Sequence, residues 1–178
     1  MTVPDAAFAD PRLAPLYDVF DDDRSDLDVY AAIVEELGAR SVLDVGCGTG
    51  SFAVLLASAG FDVIGVDPAA ASLEVARGKP GAALVRWLEG DATTLPSLAV
   101  DLATMTGNVA QAIVADEDWS ATLRGIHGAL RPGGSLVFET RDPTRRGWEE
   151  WTRERTHRVV EGVECWTELT EVALPLVS

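Results

Sequence analysis

Short apolar runs alternate with segments of helical periodicity through the middle of the chain. The runs are brief and bounded by polar or turn residues, as in buried strands, and they lie at 41–45, 62–66, 84–88, 100–106 and 135–140. The helical segments between them are 51–59, 69–77 and 119–130. Gly60 and Gly78 follow the first two as stop signals, and RPGG (131–134) follows the third. Strands alternating with helices predict an α/β fold, an open parallel sheet with helices on both faces.

The N-terminal region lacks this alternation. Apolar positions at helical spacing predict a helix over Asp26–Leu37, which Gly38 ends. Residues 1–16 are rich in proline, alanine and aspartate, which favours irregular structure, and the run Asp21–Asp23 is typical of a solvated loop that starts the next helix.

The region after Thr140 differs again, because residues 141–158 contain six of the fourteen basic residues. Trp148 and Trp151 are spaced as on one helix face, and Glu161-Gly162 is typical of a hairpin turn. Two interpretations stay open: a charged surface helix, or a lid that binds an acidic substrate with a tryptophan as its wall. We therefore divide the chain into three parts. The first is an N-terminal segment and helix (1–40), which we expect to cover the ligand-binding site described below. The second is a Rossmann-like core (41–140), and the third is an Arg/Trp-rich insertion with a β-hairpin (141–178).

Composition narrows the class of partner. The formal net charge of −15 argues against nucleic acid or an anionic membrane as the partner, since both require a cationic face.

Two cysteines, Cys47 and Cys165, form no disulfide framework, which suits a cytoplasmic protein. No apolar run reaches the ~18 residues of a membrane span, and the N-terminus lacks the pattern of a signal peptide. The two distant histidines predict no metal site.

The most specific motif is VLDVGCGTG (42–50), which follows a predicted strand and opens a helix. Glycine permits a tight turn and close approach of the backbone to a ligand, and the following helix offers N–H groups to an anion. A dinucleotide fold requires G-x-G-x-x-G/A, whereas Ser51 stands at the third glycine position and the glycine falls at Gly50. A nicotinamide-dependent oxidoreductase therefore remains the less favoured alternative.

Three further signals follow the next strands. Asp67 ends the second strand, where an acid can accept hydrogen bonds from both hydroxyls of a ribose, and Pro68 fixes the turn. Gly90-Asp91-Ala92 follows the third strand, and Thr106-Gly107-Asn108 follows the fourth. Ligands of open parallel sheets bind outside the carboxyl ends of the strands, so all four signals predict one site at that edge.

With these motifs in this order, residues 17–143 resemble the class I S-adenosylmethionine (SAM)-dependent methyltransferases. In overall sequence character they are most similar to small actinobacterial-type enzymes of unassigned substrate. The matching segments are VLDVGCGTG (42–50), VIGVDPAAASLEVAR (63–77), GDATTLP (90–96), DLATMTGNVAQ (101–111) and LRPGGSLVFETRDP (130–143). The resemblance implies SAM as cofactor, S-adenosylhomocysteine (SAH) as product, and methyl transfer to an O, N or C nucleophile of a small molecule.

The resemblance also implies roles for individual residues. Asp67, with Pro68 beside it, would bind the ribose, Asp91 and the Ala92 backbone would bind the adenine, and Tyr17 would cap the cofactor. The residues around the methionine part would be Asp44, Gly46, Cys47, Gly48 and Gly50. The residues closing the floor near the sulfonium would be Thr106, Gly107 and Asn108.

Catalytic residues are less defined. Glu139, Asp142 and His157 are candidate general bases by position only, and Cys47 has no basic neighbour in sequence that would activate its thiol. The family normally adds a helix and an antiparallel strand pair after the fifth strand. Too few residues follow Thr140 for these, which suggests a truncated chain with incomplete C-terminal strands. An open fifth strand would favour self-pairing, and a non-catalytic SAM-binding module is the second alternative.

Overall fold

The computed structural model describes residues 4–20, 24–160 and 162–171. The acidic run Asp21–Asp23 and Glu161 lie outside the described residues. The chain forms two compact units, Met1–Thr140 and Arg141–Ser178.

Five parallel strands form the sheet of the first unit, in the order β3-β2-β1-β4-β5. Their bounds are β1 Ser41–Val45, β2 Asp62–Asp67, β3 Val85–Glu89, β4 Val100–Met105 and β5 Leu130–Phe138. The predicted open parallel sheet is thereby confirmed. The strand order reverses between β1 and β4, which opens a crevice at the carboxyl ends of these two strands.

Helices cover both faces of the sheet. Their bounds are α1 Ala6–Ala9, α2 Ala14–Phe20, α3 Asp26–Glu36, α4 Ser51–Ser58, α5 Ala70–Gly78, α6 Val109–Ala112 and α7 Asp116–Ala129, with a 3-10 turn at Ala82–Leu84. Val42 packs in a cluster with residues of α3 and α4, whereas its neighbour Leu43 packs on the opposite face with Ile126 of α7. Burial on both faces explains why the strands are nearly continuous apolar runs.

The start of β5 differs from the sequence prediction. We expected RPGG to separate a helix from a strand beginning at 135, but α7 ends at Ala129 and β5 already begins at Leu130. Leu130 pairs with Val100 and Ser135 with Leu102, so the intervening residues form an irregularity within the strand. Gly134 lies so close to the backbone of Asp101 that a Cβ atom would stand 3.0 Å from its carbonyl oxygen.

The prediction of irregular structure over residues 1–16 is wrong for the described part, because α1 and the start of α2 lie there. The carboxylate of Asp5 accepts a hydrogen bond from the Ala7 amide and caps α1. The Ser72 hydroxyl on α5 donates to the Phe8 carbonyl at 2.9 Å. Contacts with α5 thus hold helices that are too short to be stable alone.

The second unit contains the predicted hairpin, since β6 (Arg158–Val160) pairs antiparallel with β7 (Val163–Cys165). Residues 148–151 do not form the charged surface α-helix that was one of the two interpretations of this segment. Two 3-10 turns, Pro143–Arg145 and Gly147–Glu150, precede the one-turn helix α8, Arg153–Thr156. Among all described residues, no helix has the length and apolar character required to cross a bilayer.

Candidate cofactor site at the carboxyl ends of the strands

A cavity of about 620 Å³ opens where the sequence placed the site. Its lining residues belong to the first unit and come from the ends of β1, β2 and β4, the loop after β3, the N-terminal region, and the helices α4, α6 and α7. Twelve of the thirteen cofactor-binding residues named above line it: Tyr17, Asp44, Gly46, Cys47, Gly48, Asp67, Pro68, Asp91, Ala92, Thr106, Gly107 and Asn108. One volume of small-molecule size therefore collects nearly the whole predicted set.

The glycine turn after β1 is tied to the end of β2. The amides of Gly46 and Cys47 donate to the Val66 carbonyl at 2.8 and 3.1 Å, and the amide of Gly48 donates to Asp67 Oδ2 at 2.8 Å. Gly46 has a φ of +71°, and a Cβ atom there would lie 2.5 Å from Val109. The N–H groups of this turn thus serve the fold, and the turn lets the backbone approach the cavity.

Gly50 is the exception, because it is not among the cavity-lining residues. Its φ is +78°, and a Cβ atom would lie 2.4 Å from the Trp87 ring of β3 and 2.9 Å from the Cβ atom of Ala76. Gly65 makes room for the same indole, whose Nε1 donates to the Ala82 carbonyl at 3.0 Å. The absence of a side chain at Gly50 therefore allows Trp87 to pack directly against the glycine turn. The motif alone did not reveal this packing role.

Asp44 is buried at the end of β1, with 1% of its surface exposed. Burial raises its pKa to about 7, and the nearby charge of Asp67 adds to this shift. The hydrogen bond donated by the Thr104 hydroxyl at 3.1 Å and the charge of Arg24 oppose it. A carboxyl group in this state gains from a bound cation, which would restore its ionised form.

Asp67 has two backbone hydrogen bonds, since Oδ2 accepts from Gly48 and Oδ1 accepts from the Ala69 amide at 2.8 Å. Burial nevertheless raises its pKa, against the effect of these bonds. The bonds fix the orientation of the carboxylate at the cavity wall. Each oxygen keeps lone-pair capacity for a ligand hydroxyl.

Asp91 also closes its own turn, because its Oδ1 accepts from the amide and the hydroxyl of Thr93 at 2.8 and 2.6 Å. On the other side, Gly107 and Asn108 both have positive φ, at +67° and +69°. The amide of Asn108 donates to Glu139 Oε1 at 2.9 Å. The loop after β4 is thus held in a sharp turn that faces the cavity.

Cys47 is a neutral thiol at this site. Burial raises the pKa of its thiol well above the ordinary value, and the negative charges of Asp44 and Asp67 raise it further. This environment disfavours the thiolate, which agrees with a packing role rather than a nucleophilic one.

The N-terminal region supplies lining residues that sequence reasoning missed. Phe8 packs against Tyr17 with ring centroids 5.2 Å apart, and both rings face the cavity. Arg24 is the cationic residue among the described lining residues, and its Nε lies 3.5 Å from Asp26. Phe8 and Arg24 carry no motif, so only the fold shows that they reach the site.

A polar network ties α2 to the glycine turn. Asp18 accepts from the Thr49 hydroxyl at 2.6 Å and pairs with the Lys79 ammonium at 2.7 Å. Lys79 also donates to the Ser51 hydroxyl at 2.8 Å. These contacts fix the covering helix against α4 and the end of α5.

The three candidate bases are each engaged by neighbours. Glu139 accepts hydrogen bonds from the Tyr30 hydroxyl and the Asn108 amide, and burial and Glu139 raise the pKa of Tyr30 to about 12. Asp142 accepts from the amide and hydroxyl of Thr144. His157 pairs with Glu164 at 2.6 Å. None of these candidates is among the described lining residues of the cavity, so their catalytic roles stay predictions.

The strand order, the glycine turn after β1 and the acid at the end of β2 define the class I methyltransferase fold. Residues 42–134 match the family described as methyltransferase domain, and the chain belongs to this family of SAM-dependent methyltransferases. Its cofactor is SAM. This family assignment replaces the less favoured alternative, a nicotinamide-dependent oxidoreductase.

Similar proteins agree with this assignment. Cypemycin N-terminal methyltransferase from Streptomyces sp is 38% identical over 60% of this chain and 44% of its own length. The SAM-bound structure of CalS10, an amino pentose methyltransferase from Micromonospora echinaspora, is 29% identical with a TM-score of 0.60, over 68% of this chain and 53% of that one. The chain spans about half the length of the curated relatives it matches.

One solved structure matches almost end to end. A putative SAM-dependent methyltransferase from Methanococcus maripaludis has a TM-score of 0.63 over 98% of this chain and 99% of that one. Its sequence identity of 17% makes this a likeness of fold alone.

Proposed function

We propose that this chain binds SAM in the strand-end cavity and transfers its methyl group to the amine nitrogen of a small molecule. The observation that carries the proposal is the charge of the cavity wall. Five carboxyl groups and one guanidinium are found among its described residues: Asp5, Asp44, Asp67, Asp91, Asp118 and Arg24. Such a wall attracts a cationic donor and disfavours anionic ligands.

The same wall argues against a dinucleotide. A pyrophosphate requires N–H donors at the glycine turn, but the amides of Gly46, Cys47 and Gly48 already donate to Val66 and Asp67. The acidic lining would also repel a dianion. SAM, which carries a sulfonium, an ammonium and one carboxylate, fits this arrangement.

We assign the parts of the cofactor by chemistry. Asp67 would accept from the ribose hydroxyls, and Asp91 would accept from the adenine amino group. Asp44 would face the positively charged sulfonium and ammonium groups of SAM, and Arg24 would pair with the carboxylate of its amino-acid part. The rings of Phe8 and Tyr17 would cover the cofactor and exclude water.

Bound SAM supplies an electrophilic methyl group on sulfur, so the cofactor carries the main driving force. The chain must then orient an acceptor in line with that group and accept the proton that an amine releases. Among the lining carboxylates, Asp118 of α7 would accept the proton, because the candidate base Glu139 is not among the described lining residues.

The name of one similar protein favours nitrogen as the acceptor, and the name of a second specifies a substrate that carries an amine. One is an N-terminal methyltransferase and the other acts on an amino pentose. Together with the acidic wall, they favour an amine over an acidic acceptor. Oxygen or carbon methylation and a SAM-binding module without turnover remain the alternatives.

Calorimetric titration with SAM and SAH tests the first half of the proposal. Asp67→Asn should weaken binding about 10- to 100-fold, because a charged hydrogen-bond acceptor to ribose is lost. Asp62→Asn, at the exposed start of the same strand, is the matched control and should bind like the wild type. Saturable NADH binding with no SAM binding would contradict the cofactor assignment.

Turnover is tested separately by measuring SAH formation with a panel of amines, alcohols and carboxylic acids. SAH release with amines alone is the expected result. Tight SAM binding without SAH release from any acceptor would favour the binding module instead.

A further inference from the structure

A second cavity lies entirely within the second unit. Its volume is about 430 Å³, which falls in the range of small-ligand pockets. The half-buried indoles of Trp148 and Trp151 form part of its lining, together with Arg146, Glu149 and Glu168. None of these residues is among the described lining residues of the strand-end cavity.

Backbone contacts hold the segment that carries Glu168. The amide of Leu169 donates to the Trp151 carbonyl at 3.1 Å. Two residues earlier, the Thr167 amide donates to the Thr156 hydroxyl at 2.8 Å, and that hydroxyl donates to the Thr167 carbonyl at 2.7 Å. These hydrogen bonds hold the backbone on both sides of Glu168, an exposed residue at the cavity wall.

The charges of the wall do not cancel. Arg146 pairs with Glu149 at 2.6 Å, so its guanidinium is already compensated. Within the described part of the chain, Glu168 makes no ion pair and no hydrogen bond. A negative charge without a partner therefore remains beside the two indoles.

The tryptophans of this unit already bind cations through their faces. The guanidinium of Arg141 lies 4.9 Å from the Trp151 ring centroid, and that of Arg153 lies 4.1 Å from Trp166. Among the described contacts, no cation stacks on Trp148. Its ring and the Glu168 carboxylate offer the two groups that recognise an organic ammonium ion.

We propose that this cavity binds an organic ammonium ion, with a preference for methylated ammonium groups. Such a cation spreads its charge over a large apolar surface, which suits an aromatic wall better than a carboxylate wall alone. An anionic ligand would instead face Glu168 and Glu149. The described lining residues of this cavity are all different from those of the strand-end cavity, and the proposal does not depend on methyl transfer.

The first test compares choline with 3,3-dimethylbutan-1-ol, its neutral analogue of the same shape, by calorimetry on the whole chain at constant ionic strength. Choline should bind at least about tenfold more tightly, because only the charge differs. Equal binding of the two, or no choline binding, overturns the proposal. Tighter binding of succinate than of choline also overturns it.

Matched variants locate the site. Trp148→Leu and Glu168→Gln should each weaken choline binding at least about fivefold. Trp166→Leu and Glu154→Gln likewise remove an indole and a carboxylate, but outside the cavity lining. These two control variants should bind choline as tightly as the wild type. Thermal melting checks that each variant is folded. An equal effect of the cavity variants and the outside variants would show that choline binds elsewhere and contradict the assignment.

The source of the ammonium is distinguished with phosphatidylcholine vesicles. Vesicle binding that Glu168→Gln weakens would assign a lipid headgroup as the ligand. Binding of free choline without vesicle binding would assign a soluble ammonium compound.

Discussion

The two units hold acidic residues in opposite ways. In the first unit, burial raises the pKa of Asp44 to about 7, although a hydroxyl and a guanidinium charge oppose the shift. In the second, the exposed Glu164 has its pKa lowered, above all by the hydrogen bond with His157. Ionising Asp44 is therefore unfavourable in the free protein, and a bound cation would make it favourable. The contact between His157 and Glu164 lies at the surface, where water and salt screen it.

The two units also differ in the range of their contacts. The strand-end cavity depends on pairs far apart in sequence, such as Asn108 with Glu139 and Tyr30 with Glu139. The second cavity depends on a local segment, in which Leu169 bonds to Trp151. Variants in the first unit should therefore disturb folding and binding together, whereas variants in the second should act locally.

The largest effect is expected at Gly50. Gly50→Ala combines a left-handed backbone strain with a Cβ atom 2.4 Å from the rigid Trp87 ring, so the free energy of unfolding should fall by about 2–4 kcal/mol. Chemical denaturation measures it. Gly38→Ala has a similar φ of +63° and no atom within 4 Å of the new Cβ, so it should cost only about 1–2 kcal/mol. Equal losses in both variants would show that packing against Trp87 is unimportant.

These residues also show what the sequence could predict. The glycine turn, Asp67 and Asp91 follow strands, and the carboxyl ends of parallel strands meet at one edge, so spacing alone placed them together. The resemblance to the methyltransferase family also assigned Gly50 to the cofactor. Its contact with Trp87 depends on the register of β2 and β3, which no local pattern contains.

The N-terminal region was less predictable for a related reason. The helices α1 and α2 are too short for a periodic signal and are held by contacts such as Ser72 with the Phe8 carbonyl. Phe8 and Arg24 therefore entered the site without a motif. The expected Trp148–Trp151 helix was wrong because a spacing of three residues also fits 3-10 turns.

An intermediate effect is expected from the titration of Asp44. Its folded pKa lies above its usual value of 3.8, so the folded state keeps a proton that the unfolded chain releases between pH 4 and about 7. Stability should fall as pH rises through that window. Asp44→Asn should reduce this dependence in melts recorded from pH 4 to 8, and the part that remains includes Asp67, whose pKa burial also raises.

Ligand binding should show the opposite slope. A cationic ligand favours ionised Asp44, so the Kd for SAM should decrease as pH rises from 6 to 8, and Asp44→Asn should flatten this change. Each unit by which the ligand lowers the Asp44 pKa corresponds to tenfold in affinity. The titration of the ligand itself is common to both proteins and cancels in their comparison. An unchanged slope in the variant would assign the titration to another group.

The smallest effect separates the two kinds of ion pair. Asp18 and Lys79 are 30% and 21% exposed and share hydroxyl partners, whereas Glu150 and Arg155 are 73% and 62% exposed. In double-mutant cycles to alanine, the first pair should show a coupling of about 1 kcal/mol or more, and the second less than about 0.5 kcal/mol. Added salt should reduce the second coupling more strongly, because exposed charges are screened. If the two couplings are equal, then the network at the covering helix contributes no more than a surface contact, and the N-terminal helices must be held by Phe8 and Tyr17 instead.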